Sequence, residues 1–478
     1  MPLMTAEQYV ESLRDGRNVW YRGERVNDVT THPVIGLAVE HAAIDYRMAE
    51  DAAERELAVV DGPDGPYSRY YEIPRTPDDL LRRSALIERA TALGGTLVVL
   101  IKEIGTDALF ALRLIAGHMD RTLGTTYLPR VEAFHAHCRD RDLAVAVAQT
   151  DVKGNRAGGP TAQVHPDYYV RVVAKDNDGI TLRGAKVHTS VSTNAHEIIV
   201  LPTRNLAEGE ESYAVACAVP ANAPGLTMLA SGYGRRGNAF EQPLSARHKM
   251  METLTVFDDV KVPWNRVFLN GEVAMAGPLA KTFVEFHRFT AVSYKLPLVD
   301  LFVGASHLMA EYNGVLKAGH VRDKLARLIS YAQICRGMTR EAAREASVVD
   351  GVAVPDAELI NIAKLYFATN YHQALAWVQD IAGGLLVTGP SAEDLDDATL
   401  RPLVDRYLGA ANPNAEERLR LINLIADLTA SDFAGYQSTL AIHAEGSIEA
   451  EKMTIWRQHD IEPDVAYARR LAGITKVE

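Results

Sequence analysis

The hydrophobic period of this chain changes twice, and that alternation narrows the possible folds more than any single motif. From Thr5 to about residue 142 apolar residues recur at helical spacing. Leu80, Leu81, Ile87 and Leu93 form one run, Leu109–Leu123 a second and Val131–Cys138 a third. Thr5 followed by Gln8 reads as a capping box opening the first helix. After the third run the pattern becomes that of short strands. Residues 168–184, YYVRVVAKDNDGITLRG, read as strand, turn and strand, with the glycine expected at positive φ. Residues 196–202, 212–219 and 253–263 continue the strands. Helical spacing returns from about residue 272. Val321, Leu325, Leu328, Ala332 and Cys335 mark one face, Leu359, Ile362, Leu365 and Ala368 a second, and Leu419, Leu421, Ile422, Ile425 and Leu428 a third. Pro297 is expected to kink the first of these long helices. The order predicts an α+β chain with helices over 1–142, a β module over 143–271 and a helical bundle with a tail over 272–478.

At the first change of period lies QTDVKGNRAGGPTAQ, residues 149–163, a stretch with little to bury. It reads either as a surface crossover or as a backbone-rich cradle. In the second reading Thr150, Asp151, Thr161 and Gln163 offer donors and acceptors, while Gly154, Gly158 and Gly159 let the main chain come close to a ligand.

Bulk properties remove several classes of function. A net charge of −12 argues against a general nucleic-acid binder. No window holds the roughly 18 apolar residues of a membrane span, since the best run, Leu97–Ile101, stops at Lys102. Three scattered cysteines, Cys138, Cys217 and Cys335, indicate no disulfide framework and fit a reducing cytoplasm. GYGRRG at 232–237 matches G-x-G-x-x-G, but a loop-like NAFEQPLS follows where a dinucleotide site needs a helix. His135, His137 and Cys138 suggest metal ligands by type only, because residues two apart on a helix point apart and no second cluster completes a set. Gly383 and Gly384 read as a helix cap or as close passage past a cofactor's pyrophosphate. His287, Arg288 and Lys295 share a helix, and His188–Thr189–Ser190 ends a strand.

Taken in order, QTDVKGNR, HPDYYVRVV, DGITLRGAKVHTS, VFDDVKVPWNRVFL, EYNGVLKAGHVRDKL and DIAGGLLVTGPS resemble one flavoprotein family. It comprises the oxygenase components of 4-hydroxyphenylacetate 3-monooxygenase and the related 4-hydroxybutyryl-CoA dehydratases. The resemblance runs from residue 4 to about residue 470. It implies an acyl-CoA dehydrogenase-like architecture: N-terminal helical domain, central β-barrel, C-terminal four-helix bundle, assembled as a homotetramer. It also implies FAD, delivered reduced by a separate flavin reductase, and a small-molecule substrate. Gln149, Thr150, Asp151, Thr161, Gln163, Thr189 and Ser190 would face the flavin, with Ser190 near N5, and Gly383 and Gly384 would approach a neighbouring subunit's cofactor. His287, Glu252 and Lys295 would join Ser190 as catalytic groups.

Two departures from the family shape the expectation. The dehydratases' cluster ligands, three cysteines and a histidine, fall here on Val99, Glu103, His287 and Tyr294. Without thiolates no iron–sulfur cluster, and no other metal, is expected. The polar groups with which the hydroxylases bind a phenol fall on Ile104, Ala108 and about Val147, so the substrate should be altered, less polar or tethered to a carrier. The resemblance then implies a two-component monooxygenase acting on an electron-rich small molecule through a flavin C4a-hydroperoxide. The alternatives are a cluster-free dehydratase, isomerase or desaturase on an acyl thioester, and a scaffold that has lost its chemistry.

Overall fold

In the computed structural model, residues 3–233 and 237–474 are described. The middle of the GYGRRG match, residues 234–236, lies outside them. The Thr5–Gln8 capping box is present and opens helix Ala6–Ser12. A second capping box, Thr76 with Asp79, opens helix Pro77–Leu93 with a proline in its first turn, where the missing N–H has no cost. Helices Ile35–Glu50, Arg55–Ala58, Glu103–Leu123 and Leu128–Asp140 complete the N-terminal group.

Ten of the strands form two sheets rather than a closed barrel, while Val59–Gly62 with Gly65–Ser68 and Ser347–Val349 with Val352–Val354 pair separately. Six strands lie in the order Glu24–Val26, Val19–Tyr21, Leu226–Ala230, Glu252–Pro263, Gly179–Ser190 and Arg171–Lys175. Four lie in the order Val267–Asn270, Val215–Pro220, Glu197–Val200 and Val145–Ala148. Among the described residues no ladder closes one sheet onto the other. They meet at a corner, where Asp151 bridges Lys186 and the Val187 N–H donates to Thr150 O at 2.8 Å. Two strands of the larger sheet come from the N-terminal region read as helical, with Val19 in parallel register with Met228. Gly179 is needed for a different reason from the one expected. Its φ is not positive; a Cβ there would fall 2.0 Å from Val262 O, so the missing side chain lets the paired strands close.

The C-terminal half rests on helix Val273–Tyr312, which runs through Pro278 and Pro297 without a break. Helices Gly319–Arg344 and Ala357–Ala382 pack on it and on each other, and Ala415–Ala430 packs on the first and third. Val321, Leu325, Leu328, Ala332 and Cys335 are buried as their spacing predicts. On Ala357–Ala382 the buried stripe is instead Ile360, Ala363, Lys364, Phe367 and Tyr371. Leu359, Ile362 and Leu365 are only half-buried, because a lysine occupies the middle of the face that turns inward. Among the described residues no helix is long and apolar enough to cross a membrane.

Candidate active site

Ser190 and Glu252 are built as a pair by strand register. They sit opposite each other on the adjacent strands Gly179–Ser190 and Glu252–Pro263, so their side chains share a face. Just before them the register slips. Thr189 pairs with Thr253 but Lys186 with Thr255, which leaves Val187 and His188 opposite Leu254 alone. His188 accordingly takes φ 56 and Val191 takes φ 55. Such a bulge re-aims the strand end, and here it turns Ser190 towards the helices. Ser190 Oγ lies 2.9 Å from both Glu252 oxygens, and the Tyr436 hydroxyl donates to Glu252 Oε1 at 2.7 Å. Tyr436, on helix Asp432–His443, stacks on Tyr233 at 4.5 Å. Burial pushes the Glu252 carboxyl up to about 7, against the two hydroxyls that donate to it, with Glu445 adding to the rise.

Helix Val273–Tyr312 supplies the facing wall. His287 Nδ1 lies 3.0 Å from Asp107 Oδ2. A carboxylate only accepts, so Nδ1 carries the hydrogen. Asp107 is itself held by Arg83 at 2.8 Å and Thr290 at 3.0 Å, and Phe283 stacks on the imidazole. Two turns on, Lys295 Nζ meets Glu445 Oε2 at 3.0 Å, and the Tyr294 hydroxyl donates to Glu445 Oε1. Glu445 lies in a turn at φ 59, next to Gly446 at φ 115. Burial alone would raise its carboxyl, but Lys295, Lys364 and His287 hold it down at about 2. Lys295 moves the same way, to about 8, chiefly through burial and despite its attraction to Glu445. The two shifts are compatible because Glu445 faces several cations while Lys295 shares one near carboxylate with Lys364.

The four positions that the resemblance assigns to cluster ligands hold no thiol. Val99 is fully buried and has no donor atom. Glu103 is fully buried and accepts from the Lys102 N–H at 3.1 Å; burial and Asp45 push its carboxyl up to about 7. His287 is tied to Asp107 and Tyr294 to Glu445. Ile104, Ala108 and Val147 are buried apolar residues. Of the FHAHC residues, His135 Nε2 bonds Tyr71 O at 2.9 Å, while His137 turns to Glu197 at 3.5 Å.

The polar loop spends much of its chemistry on itself. Asp151 accepts from the Val170 N–H and pairs with Lys186, each at 2.9 and 2.8 Å respectively. Thr161 donates to Glu210 at 3.1 Å, and the Gln163 amide spans Asn155, Gly158 and Gly159. Gln149 and Thr150 are half-buried, and among the described residues their side chains make no hydrogen bond. Among the described residues the buried Thr189 hydroxyl has no partner. Gly383, at φ 82, and Gly384 face open space at the end of helix Ala357–Ala382.

Two spaces adjoin these groups. A small cavity of about 10 Å³ touches Thr96, Val98, Tyr294, Lys295, Phe367 and Gln437. A groove of about 680 Å³ lies beyond Thr96, lined by Ala92, Leu244, Pro297 and Leu301 among others. None of Ser190, Glu252, His287 or Glu445 borders that groove, so its size alone does not mark it as the reaction site.

Residues 5–269 match the family model described as 4-hydroxyphenylacetate 3-hydroxylase N terminal, and residues 276–473 match its C-terminal counterpart. The chain belongs to this family. It is 31% identical to 4-hydroxybutyryl-CoA dehydratase/vinylacetyl-CoA-Δ-isomerase of Clostridium aminobutyricum, over 99% of this chain and 100% of that protein. It is equally 31% identical to the 4-hydroxyphenylacetate 3-monooxygenase oxygenase component of Thermus thermophilus, over 99% and 97%. A solved oxygenase component complexed with FAD superposes with a TM-score of 0.90 at 29% identity, covering 98% of each chain. Butyryl-CoA dehydrogenase from Megasphaera elsdenii, at 16% identity and a TM-score of 0.50, shares the fold alone, over 94% of this chain and 96% of that one. The 4-hydroxyphenylacetate 3-hydroxylase family thus includes two chemistries, and sequence identity does not choose between them here. Glu445, Tyr436 and Asp107 join the candidate site through Lys295, Glu252 and His287, and pattern reading missed them. Asp107 is one turn from Glu103 and reachable by helical spacing, but nothing in AIHAEGSIEA marks Glu445.

Proposed function

We propose that this member of the family is a two-component monooxygenase that takes reduced FAD from a separate reductase and oxygenates an electron-rich small molecule. The observation that carries the reading is the set of groups at the cluster positions. A valine, an inward-turned glutamate, a carboxylate-bound histidine and a carboxylate-bound tyrosine offer no thiolate. These donors speak against the cluster-dependent side of the family. The flavin side is supported by the half-buried Gln149 and Thr150, whose side chains make no hydrogen bond among the described residues, and by Ser190, held on Glu252 at a bulged strand end.

In this reading Gln149, Thr150 and Ser190 orient the flavin, and Gly383 and Gly384 leave room for the cofactor of a neighbouring chain. Bound reduced FAD would supply the activation of dioxygen. Ser190 donates to Glu252, whose carboxyl near pH 7 can hold or release a proton beside it. Asp107 holds His287 by Nδ1 and so orients the ring for proton transfer at Nε2. Lys295 and Glu445 form a charged end to the site. Ile104, Ala108 and Val147 give it an apolar stretch and keep water out. The substrate is accordingly less polar than a phenol acid, free or held on a carrier. The exposed Trp456 and Leu471 of the C-terminal helices fit burial in a homotetramer, and the scattered buried cysteines fit a cytoplasmic enzyme.

A specific observation favours a second reading. Glu252, raised to about 7, and Lys295, lowered to about 8, each titrate near neutrality, and both have Glu445 as a neighbour, which suits moving a proton on an acyl thioester without net oxidation. One experiment separates the two. Protein loaded anaerobically with reduced FAD is given ¹⁸O-labelled dioxygen and a panel of phenols, other arenes and acyl thioesters. One ¹⁸O atom in a product supports the monooxygenase; turnover of a thioester without dioxygen supports the second reading.

A further inference from the structure

Helix Ala357–Ala382 carries Lys364 in the middle of its buried stripe, fully excluded from solvent. Its ammonium holds two distant points of the chain. Nζ donates to Ala441 O at 3.1 Å, at the end of the helix that carries Tyr436. It also lies 3.4 Å from Glu451 Oε1 and 3.8 Å from Glu445 Oε2. Glu451, in helix Ile448–Gln458, is fully buried and neither of its carboxylate oxygens has a hydrogen-bond partner among the described residues. A bare buried carboxylate costs several kcal/mol unless a charge answers it, and Lys364 is the cation within 4 Å of it.

The segment between these anchors forms the turn that carries Glu445. Arg288 grips its apex, with Nε donating to Glu445 O at 3.0 Å while its Nη1 is held by Asn361. A Cβ on Gly446 would come 2.5 Å from Arg288 Nη2, so the turn is fitted closely around the guanidinium. The turn is thus held at its start, its apex and its end.

We propose that Lys364 and Glu451 are positioning residues of the active site: their buried pair pins both ends of the 441–451 segment that carries Glu445, and their two charges act on Lys295 directly and with opposite sign. The inference rests on reading Lys295 and Glu445 as site groups. The titratable groups facing Lys295 are Tyr294 on its own helix, Cys335 on Gly319–Arg344, Lys364 on Ala357–Ala382, Glu445 in the turn and Glu451 on Ile448–Gln458. The two proposed residues act on Lys295 with opposite sign: Lys364 favours its neutral form and Glu451 its charged form. A role limited to folding would not produce opposite signs.

The test is a pH titration of Lys295 by NMR in full-length protein labelled with ¹³Cε-lysine, the resonance being assigned with Lys295→Arg. Lys364→Met should raise the Lys295 midpoint by about one pH unit. Glu451→Gln should lower it, and Lys364→Arg should leave it near the parent value. Shifts of the same sign in Lys364→Met and Glu451→Gln, or no shift in either, would overturn the proposal. Should Lys364→Met not fold, Glu451→Gln decides alone: a lower midpoint supports it, and an equal or higher one refutes it. The titration needs neither flavin nor substrate, so a failure of oxygen insertion leaves this result standing and the reverse also holds.

Discussion

Replacing Glu445 with glutamine removes the carboxylate that faces Lys295 and Lys364 together and accepts from Tyr294. Its side chain is 2% exposed, so solvent screens these contacts little. Folding lowers its carboxyl from 4.5 to about 2. At about 1.36 kcal/mol per pH unit, that difference is worth about 3 kcal/mol at neutral pH. The loss of one partner from a buried ion pair gives a similar figure, roughly 3–5 kcal/mol. The folded state holds the proton less tightly than the unfolded one. The stabilisation is therefore complete above 4.5 and is lost as pH falls towards 2. Urea unfolding of Glu445→Gln and the parent, followed by circular dichroism, should differ by about 3 kcal/mol at pH 7, shrinking to about 2 kcal/mol near pH 3.5. A difference under about 0.5 kcal/mol at pH 7, or one that widens as pH falls, would refute the assignment of a charged Glu445 to this cluster.

Glu252 should behave with the opposite sign, since burial raises its carboxyl to about 7: its contribution is complete below 4.5 and lost as pH rises through 7. Glu252→Gln should therefore gain roughly 2 kcal/mol or more on the parent between pH 5 and pH 8 in urea unfolding; parallel profiles would contradict this. Ser190→Ala should weaken anaerobic binding of reduced FAD about tenfold, the loss of a hydrogen bond of about 1.4 kcal/mol; an unchanged affinity would remove Ser190 from the cofactor site. Gly446→Ala imposes a φ of 115 on a residue with a side chain and drives it into Arg288, so stability should fall by about 1–3 kcal/mol. A melting temperature equal to the parent's would show that the turn can relax.

Much of this architecture was legible because helical and strand periods are local. The helix over Pro77–Leu93 and the stripe from Val321 to Cys335 follow directly from spacing. The strands Val19–Tyr21 and Glu24–Val26 were not legible, being three residues each and stabilised by Leu226–Ala230 two hundred positions away. A closed barrel was expected from the resemblance; no periodicity reports how two sheets meet, and here they join at the Thr150–Lys186 corner. The inward face of Ala357–Ala382 was misread because hydropathy places a lysine outside, whereas Lys364 has buried carboxylates to meet. The family and its flavin were readable from ordered motifs, and the family match agrees with them. Within the site, Ser190, Glu252, His287 and Lys295 came from the resemblance, and the structure brings Ser190 to Glu252 and Lys295 to Glu445. Glu445 itself depends on a left-handed glutamate, a conformation sequence does not announce.

The most direct test of the account is an experimental structure of this protein with FAD bound. The account predicts the tricyclic ring in the space between the Ser190 strand end and helix Val273–Tyr312. Ser190 Oγ should lie within about 3 Å of a ring atom, with Glu252 behind it. A ring bound elsewhere, with Ser190, Glu252 and Tyr436 still closed on one another, would contradict it.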